Sequence, residues 1–324
     1  MLNDQNPDAA HLARSWDTYW CGTGDAAAFM AGGVNHPAIQ AFWVEFFRLA
    51  KQTHESPNMI DLASGNGAVV ESALRVFGDD PISITCIDVS EVAVSNIGQR
   101  FPGVRGLVGN VCSVSADAGS FDIVTSQFGV EYAGMAAIKE ASRLMAPGGI
   151  IGLVMHNETG SIHRKCLDSL EAIRQVQASR FIPLAGEMFD AGLSAVRGAD
   201  RAPYDAAARE LAPAVRDLEK IMVKFGENVA GNAVAGLYRD VGRIHGRMQN
   251  YDPDEVAGWL ARMEGELSAY TGRMVSMSES ALDADAFDGV CGWFKELGFK
   301  LLETGPLFPT GEKLPLAWII IATK

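Results

Sequence analysis

Two carboxylates, Asp61 and Asp88, bracket the run of small residues Ala63-Ser64-Gly65-Asn66-Gly67. Met59–Leu62 before it is a short apolar run, and Val69, Val70, Ala73 and Leu74 after it fall at helical spacing. A strand, a glycine turn and a helix in that order let a ligand touch the backbone and present free N–H groups at the helix start. Asp88 lies about twenty residues past the turn, at the end of a second strand, where a carboxylate can accept both hydroxyls of a ribose. It could instead cap the next helix, a role Ser90 fills equally well. The glycine turn favours the ribose reading. A dinucleotide site would carry a third glycine where Val70 stands, and Asp61 would repel a pyrophosphate. Asp61 suits a ligand bearing positive charge, so the pattern points to a cationic nucleoside rather than NAD.

The elements that must hold these residues follow a regular rhythm. Strands are expected at Ile82–Ile87, Val104–Val108, Phe121–Thr125 and Ile150–Met155, with helices at Glu91–Arg100 and Met135–Met145, the latter stopped by Pro147-Gly148-Gly149. Such alternation means an α/β fold with a parallel sheet covered on both faces. From Asn157 to Ala281 the patterns turn almost wholly helical (Cys166–Gln177, Tyr204–Phe225, Val256–Tyr270), punctuated by Pro183, Pro203, Pro213 and Pro253. The sheet rhythm returns with a helix at Asp285–Leu297 and strands at Phe299–Thr304 and Ala317–Ala322.

The 324 residues, 48% hydrophobic with 8% aromatics, suffice for a large core. A formal net charge of −13 argues against nucleic acid or an anionic membrane as partner. No apolar run reaches the length of a bilayer span, and the acidic start lacks a secretory pattern, so a cytoplasmic protein is expected. The five scattered cysteines lack a Cys-x-x-Cys spacing, so reduced thiols and no metal site are expected.

These residues resemble the class I S-adenosylmethionine-dependent methyltransferases. The resemblance rests on Asp61-Leu-Ala-Ser-Gly65-Asn-Gly67, Asp88 after its strand, Phe121-Asp122-Ile-Val and Leu144-Met-Ala-Pro147-Gly148-Gly149. It covers Asn58–Met155 and Asp285–Lys324. Ala63 stands where the family often has Gly, and Asn110 where it often has Asp. The resemblance implies a doubly wound, mostly parallel seven-stranded sheet whose last strand, Ala317–Ala322, inserts antiparallel between Phe299–Thr304 and Ile150–Met155. It implies S-adenosylmethionine as cofactor, with Ala63, Ser64, Gly65 and Gly67 against its methionine and ribose and Asp61 meeting the amino group or organising the loop. Asp88 and Val89 would hold the ribose, Asn110 and Val111 flank the adenine, and Gln127 and Phe128 line the methionine side. The expected division is an N-terminal helical lid segment at 1–57, a cofactor-binding domain at 58–156 and 283–324, and an all-helical insertion at 157–282 after the fifth strand.

In-line methyl transfer asks the protein to align a nucleophile and exclude water; a base is needed only for an acceptor that must lose a proton. His156, directly after the fifth strand, is the expected base, with Glu131 and Tyr132 also in reach. A structural role for His156, tying the insertion in place, is the competing reading. No Asn/Asp-Pro-Pro-Tyr/Phe run and no Pro-Cys pair marks a nucleobase acceptor, which moves the expectation to a small molecule. Trp16, Tyr19 and Trp20, one helical face between Gly22–Gly24 and the chain start, read either as core packing or as a lid over the ligand. His36 opens an amphipathic helix carrying Ile39, Phe42, Trp43, Phe46, Phe47 and Leu49. Tyr238, Arg239, Arg243 and Arg247 form a basic stripe, either a solvated face or a pocket for an anionic acceptor. Val256, Leu260, Met263 and Leu267 form an apolar stripe suited to packing within the insertion or between subunits of a homodimer. Two functions follow: a methyltransferase using a small-molecule acceptor, or a non-catalytic sensor or complex subunit that binds the adenosyl ligand.

Overall fold

The computed structural model describes Trp16, Asp17, Trp20 and residues 36–324. Tyr19, Cys21 and the glycine breaks at Gly22–Gly24 and Gly32–Gly33 lie outside the described residues. Helix α1, Pro37–Thr53, begins with proline in its first turn and with the His36 ring accepting from the Ala38 N–H at 3.1 Å. It buries Ile39, Phe42, Trp43, Phe46, Phe47 and Ala50, while Leu49, expected on that face, is half-buried.

Strand β1 (Asn58–Leu62), helix α2 (Ala68–Phe77), strand β2 (Ser83–Asp88), helix α3 (Glu91–Arg100) and strand β3 (Arg105–Val108) follow in turn. Strand β4 (Phe121–Gln127), a 3-10 turn at Val130–Ala133, helix α4 (Gly134–Leu144) and strand β5 (Met145–Met155) complete the parallel part. After the helical block come helix α10 (Ala284–Glu296), strand β6 (Lys300–Leu307) and strand β7 (Ala317–Thr323). The seven strands run β3-β2-β1-β4-β5-β7-β6. β7 is antiparallel to both β5 and β6, Ile151 facing Ala322 and Thr304 facing Ile320. The inserted last strand is therefore where the resemblance put it.

The fifth strand starts earlier than its expected bound of Ile150. Met145 already pairs with Phe121, and the register then slips before Ile123 meets Ile150, so Pro147–Gly149 forms an irregularity inside the strand and not a turn ahead of it. The sheet core is built from Ile60, Leu62, Val124, Ile151, Leu153 and Ile320, with Phe287 and Phe294 of α10.

Contacts divide the chain into two compact units, one of residues 1–164 and 276–324 and one of residues 165–275. The second comprises most of α5 (Ser161–Ala178), then α6 (Phe181–Val196), α7 (Ala202–Phe225), α8 (Ala233–His245) and most of α9 (Pro253–Ser280). Pro213 sits inside α7, which spans the expected helix Tyr204–Phe225, and the nearby Leu211, Ala214, Leu218 and Ile221 are buried; packing outweighs the missing N–H. α9 extends to Ser280, well past Tyr270. Val256, Leu260 and Leu267 are buried in the unit's own core and Met263 is half-buried against it. Among the described residues no helix is long and apolar enough to cross a membrane.

Candidate functional site at the sheet's carboxyl edge

The strand order reverses between β1 and β4, so the chain leaves their carboxyl ends in opposite directions and opens a crevice there. Asp61 stands at that point, 1% exposed. Its Oδ1 accepts from the Thr125 hydroxyl of β4 at 2.8 Å, and its Oδ2 has no partner among the described residues. Burial pushes the Asp61 carboxyl up to about 7; the Thr125 hydrogen bond opposes this and the charge of Asp88 adds to it. An ionised carboxylate here is short of a cation or donors.

Asp88 ends β2 and braces the turn. Its Oδ2 accepts from the Gly65 N–H at 2.8 Å and its Oδ1 from the Ser90 N–H at 2.9 Å. Burial raises its pKa, while the N–H groups of Ser90, Gly65 and Val89 work against the rise. Helix α3 is capped by Ser90, whose hydroxyl accepts from the Ala93 N–H at 3.1 Å, so Asp88 is free of that duty. The two oxygens keep acceptor capacity beyond these backbone bonds. The turn follows from its residue types. Gly65 has φ +50, in the left-handed region, and a Cβ on it would lie 2.6 Å from the Trp20 indole. Gly129 has no such dihedral, yet a Cβ there would collide with the Ala63 methyl. β4's exit loop thus lies directly against the turn.

Aromatic rings line the same edge. Trp20 stacks on Trp16 at 6.3 Å, and Trp16 meets Tyr132 edge-on at 5.7 Å. Tyr132 meets the His156 ring edge-on at 5.7 Å, and Phe128 lies over it at 4.4 Å. Beneath them Glu131 and His156 are paired: Glu131 Oε1 accepts the His156 main-chain N–H at 3.0 Å and sits 2.7 Å from Nδ1. A carboxylate against Nδ1 places the ring hydrogen there and leaves Nε2 of the neutral imidazole as an acceptor. His156 Nε2 and Glu131 Oε2 have no partner among the described residues. Glu131 also lines, with Met155 and residues of α4 and α10, a 630 Å³ groove floored by Ile138, Val290 and Trp293.

Residues 59–149, from β1 into β5, match the family profile described as a methyltransferase domain. This stretch of the chain is a methyltransferase domain. No curated protein matches the sequence significantly. Among solved structures it is similar to geranyl diphosphate C-methyltransferase from Streptomyces coelicolor A3(2), at 18% identity and a TM-score of 0.37, over 47% of this chain and 66% of that one. It is also similar to Haemonchus contortus phosphoethanolamine N-methyltransferase 1, at 15% identity and a TM-score of 0.38, over 49% of this chain and 35% of that one. A third is a SAM dependent methyltransferase from Aquifex aeolicus, at 14% identity and a TM-score of 0.30, over 34% and 63%. The chain spans less than two thirds of the length of each.

The methyltransferase domain brings Asp61, Ala63, Ser64, Gly65 and Asp88 together, with Ser64 donating its N–H to the Ile87 carbonyl at 3.2 Å. Gly67 begins α2. Val89 is exposed beside Asp88. Asn110 is exposed past β3, its side chain accepting from the Cys112 N–H at 2.8 Å, and Val111 turns into the sheet core. Gln127 is drawn the other way, its side-chain oxygen accepting from the Trp43 indole of α1. Four residues escaped the sequence reading: Thr125, Gly129, Trp43 as a partner of Gln127, and Asp17, which accepts from the Ser90 hydroxyl and from the Val92 N–H at 3.5 Å. Thr125 ends the strand expected at Phe121–Thr125, and Gly129 lies just past β4; nothing local marks Trp43 or Asp17. Among the described residues no group of three or more His, Cys, Asp or Glu could hold a metal ion.

Proposed function

We propose that this protein methylates a small-molecule acceptor, with Glu131-oriented His156 receiving the acceptor's proton. The donor's fit rests on Asp61: a buried carboxylate with an unpartnered oxygen, beside a turn of positive-φ residues, suits a ligand that brings an ammonium or sulfonium charge. Asp61 would hold that charge, Asp88 would accept from the ribose through its remaining lone pairs, and Gly65 would let the nucleoside approach the backbone. Asn110 and Val111 would take the adenine end, and Gln127 and Phe128 the methionine end. When bound, S-adenosylmethionine supplies an electrophilic methyl group on a good leaving group.

The observation that carries the catalytic reading is the Glu131–His156 pair. Glu131 fixes the tautomer and plane of the ring, so the lone pair of Nε2 is the base. Phe128 and Tyr132 enclose the ring and keep water from it. Tyr132 contributes its ring to that wall. The segment bearing Trp16 and Trp20 acts as a lid: Trp20 lies on Gly65 and Trp16 on Tyr132, so its withdrawal uncovers both halves of the site. The helical block 157–282 carries acceptor choice.

The decisive experiment pairs titration calorimetry with S-adenosylmethionine and S-adenosylhomocysteine against a screen of small acceptors read by S-adenosylhomocysteine release. Binding with turnover supports the enzyme. Binding without turnover across hydroxyl, amine and carbon acceptors would favour a sensor, and failure to bind either compound would sink both.

A further inference from the structure

The helical unit holds a cavity of its own, about 640 Å³ in volume, walled by α6, α7 and α8. That is within the range of small-molecule sites. Its floor is apolar: Phe181, Met188, Leu211 and Val241 are all buried. Its rim is cationic. Arg216 of α7 and Arg239 of α8 both line it, and among the described residues neither has a carboxylate within 4.0 Å. Arg239 spends only its Nε, on the Ala235 carbonyl of its own helix at 3.2 Å, which anchors the guanidinium and leaves both terminal nitrogens to donate. Arg243, one turn further on, turns instead to Asp240 at 2.9 Å. The basic stripe of α8 is thus divided: Arg243 is neutralised and Arg239 faces the cavity.

The remaining polar groups of the lining are engaged with one another. Tyr204 and His245 join hydroxyl to Nε2 at 2.8 Å, and the Tyr238 hydroxyl donates to Glu219 at 2.8 Å. Glu219 is the one carboxylate of the lining, against two guanidinium groups. In a chain of net charge −13, two guanidinium groups against that single carboxylate, itself bonded to Tyr238, leave a local positive potential over an apolar floor.

We propose that this cavity binds an amphipathic organic anion, its carboxylate or phosphate held between Arg216 and Arg239 and its hydrocarbon body laid on Phe181, Leu211 and Val241. Guanidinium forks match either headgroup in a bidentate manner. The site lies wholly within the helical unit and does not rest on the methyl-transfer reading.

Titration calorimetry on the full chain tests it with decanoate, decyl phosphate, decyltrimethylammonium and inorganic phosphate, each below its micelle-forming concentration. Saturable binding of one or both alkyl anions is expected, at least about tenfold tighter than the ammonium compound and than inorganic phosphate. The tighter of the two anions identifies the headgroup. The double variant Arg216→Gln/Arg239→Gln, both exposed positions, should weaken anion binding at least about tenfold with an unchanged circular dichroism spectrum. No saturable binding of either anion, equal binding of the ammonium compound, or an unaltered affinity in the double variant overturns the proposal. S-adenosylmethionine binding measured on the same samples reports separately on the donor site.

Discussion

Glu131 and His156, 25 residues apart in sequence, are joined twice: one carboxylate oxygen accepts the histidine's main-chain N–H and also meets its ring Nδ1. The double contact fixes the plane of the ring as well as its tautomer. Glutamine at 131 keeps an acceptor but removes the charge that would stabilise an imidazolium, whereas glutamine at 156 removes the base. His156→Gln is expected to lower turnover about 10²–10⁴-fold with donor affinity unchanged. Glu131→Gln should lower it less, because the amide still accepts the main-chain N–H but no longer supports charge building on the ring. Donor affinity and turnover falling together in both variants would identify the pair as scaffolding.

Asp61 ties pH to stability. Its carboxyl, ordinarily near 3.8, is held near 7 by burial. Between these values the folded chain keeps a proton that the unfolded chain has released. The raised folded value means that the contribution is fully present below the unfolded pKa and is lost as pH rises through the folded one. Urea midpoints compared at about pH 5 and about pH 8 should show the wild type losing roughly 2–3 kcal/mol more than Asp61→Asn across that interval. Asparagine retains an acceptor for the Thr125 hydroxyl, so its baseline fold is preserved. Parallel slopes would show an ordinary carboxylate.

Much of this arrangement was legible in the residues alone. The alternation of apolar strands with 3.6-period helices dictated the α/β sheet, and the Asp61–Gly67 run and Asp88 do come together at its carboxyl edge. What escaped were links between residues distant in sequence. The bracing of Gly65 by Asp88, the Thr125 bond to Asp61 and the closeness of Gly129 to Ala63 all depend on how β1, β2 and β4 lie side by side, which no local pattern encodes. Cap chemistry was ambiguous for a similar reason: Ser90 and Asp88 carry equal local credentials, and only the geometry gives the cap to Ser90.

Asp88 serves the turn even without a ligand, so its replacement has two separable effects. Asp88→Ala leaves the N–H groups of Gly65 and Ser90 unpaired in a buried place, costing about 1–3 kcal/mol each where water cannot reach them. Asp88→Asn keeps one acceptor oxygen and should cost less. Both should weaken S-adenosylmethionine binding at least about tenfold, since both remove acceptors for ribose hydroxyls. Calorimetry alongside thermal melting separates the effects. An alanine variant that melts early but binds with an unchanged dissociation constant would make Asp88 a brace alone.

Gly65 is where backbone and lid meet. Alanine there faces two costs: a left-handed backbone at φ +50, worth about 1–2 kcal/mol for a residue with a Cβ, and a methyl group 2.6 Å from the Trp20 indole. The second cost can be removed by shortening Trp20. Gly65→Ala alone is expected to destabilise the chain and displace Trp20, visible as a change in tryptophan emission. In the Trp20→Ala background the same substitution should cost only the backbone share. A double-mutant cycle by urea denaturation therefore yields a positive coupling between positions 20 and 65. Additive effects would mean that Trp20 does not rest on the turn in solution, and with that the lid would lose its contact over the donor site.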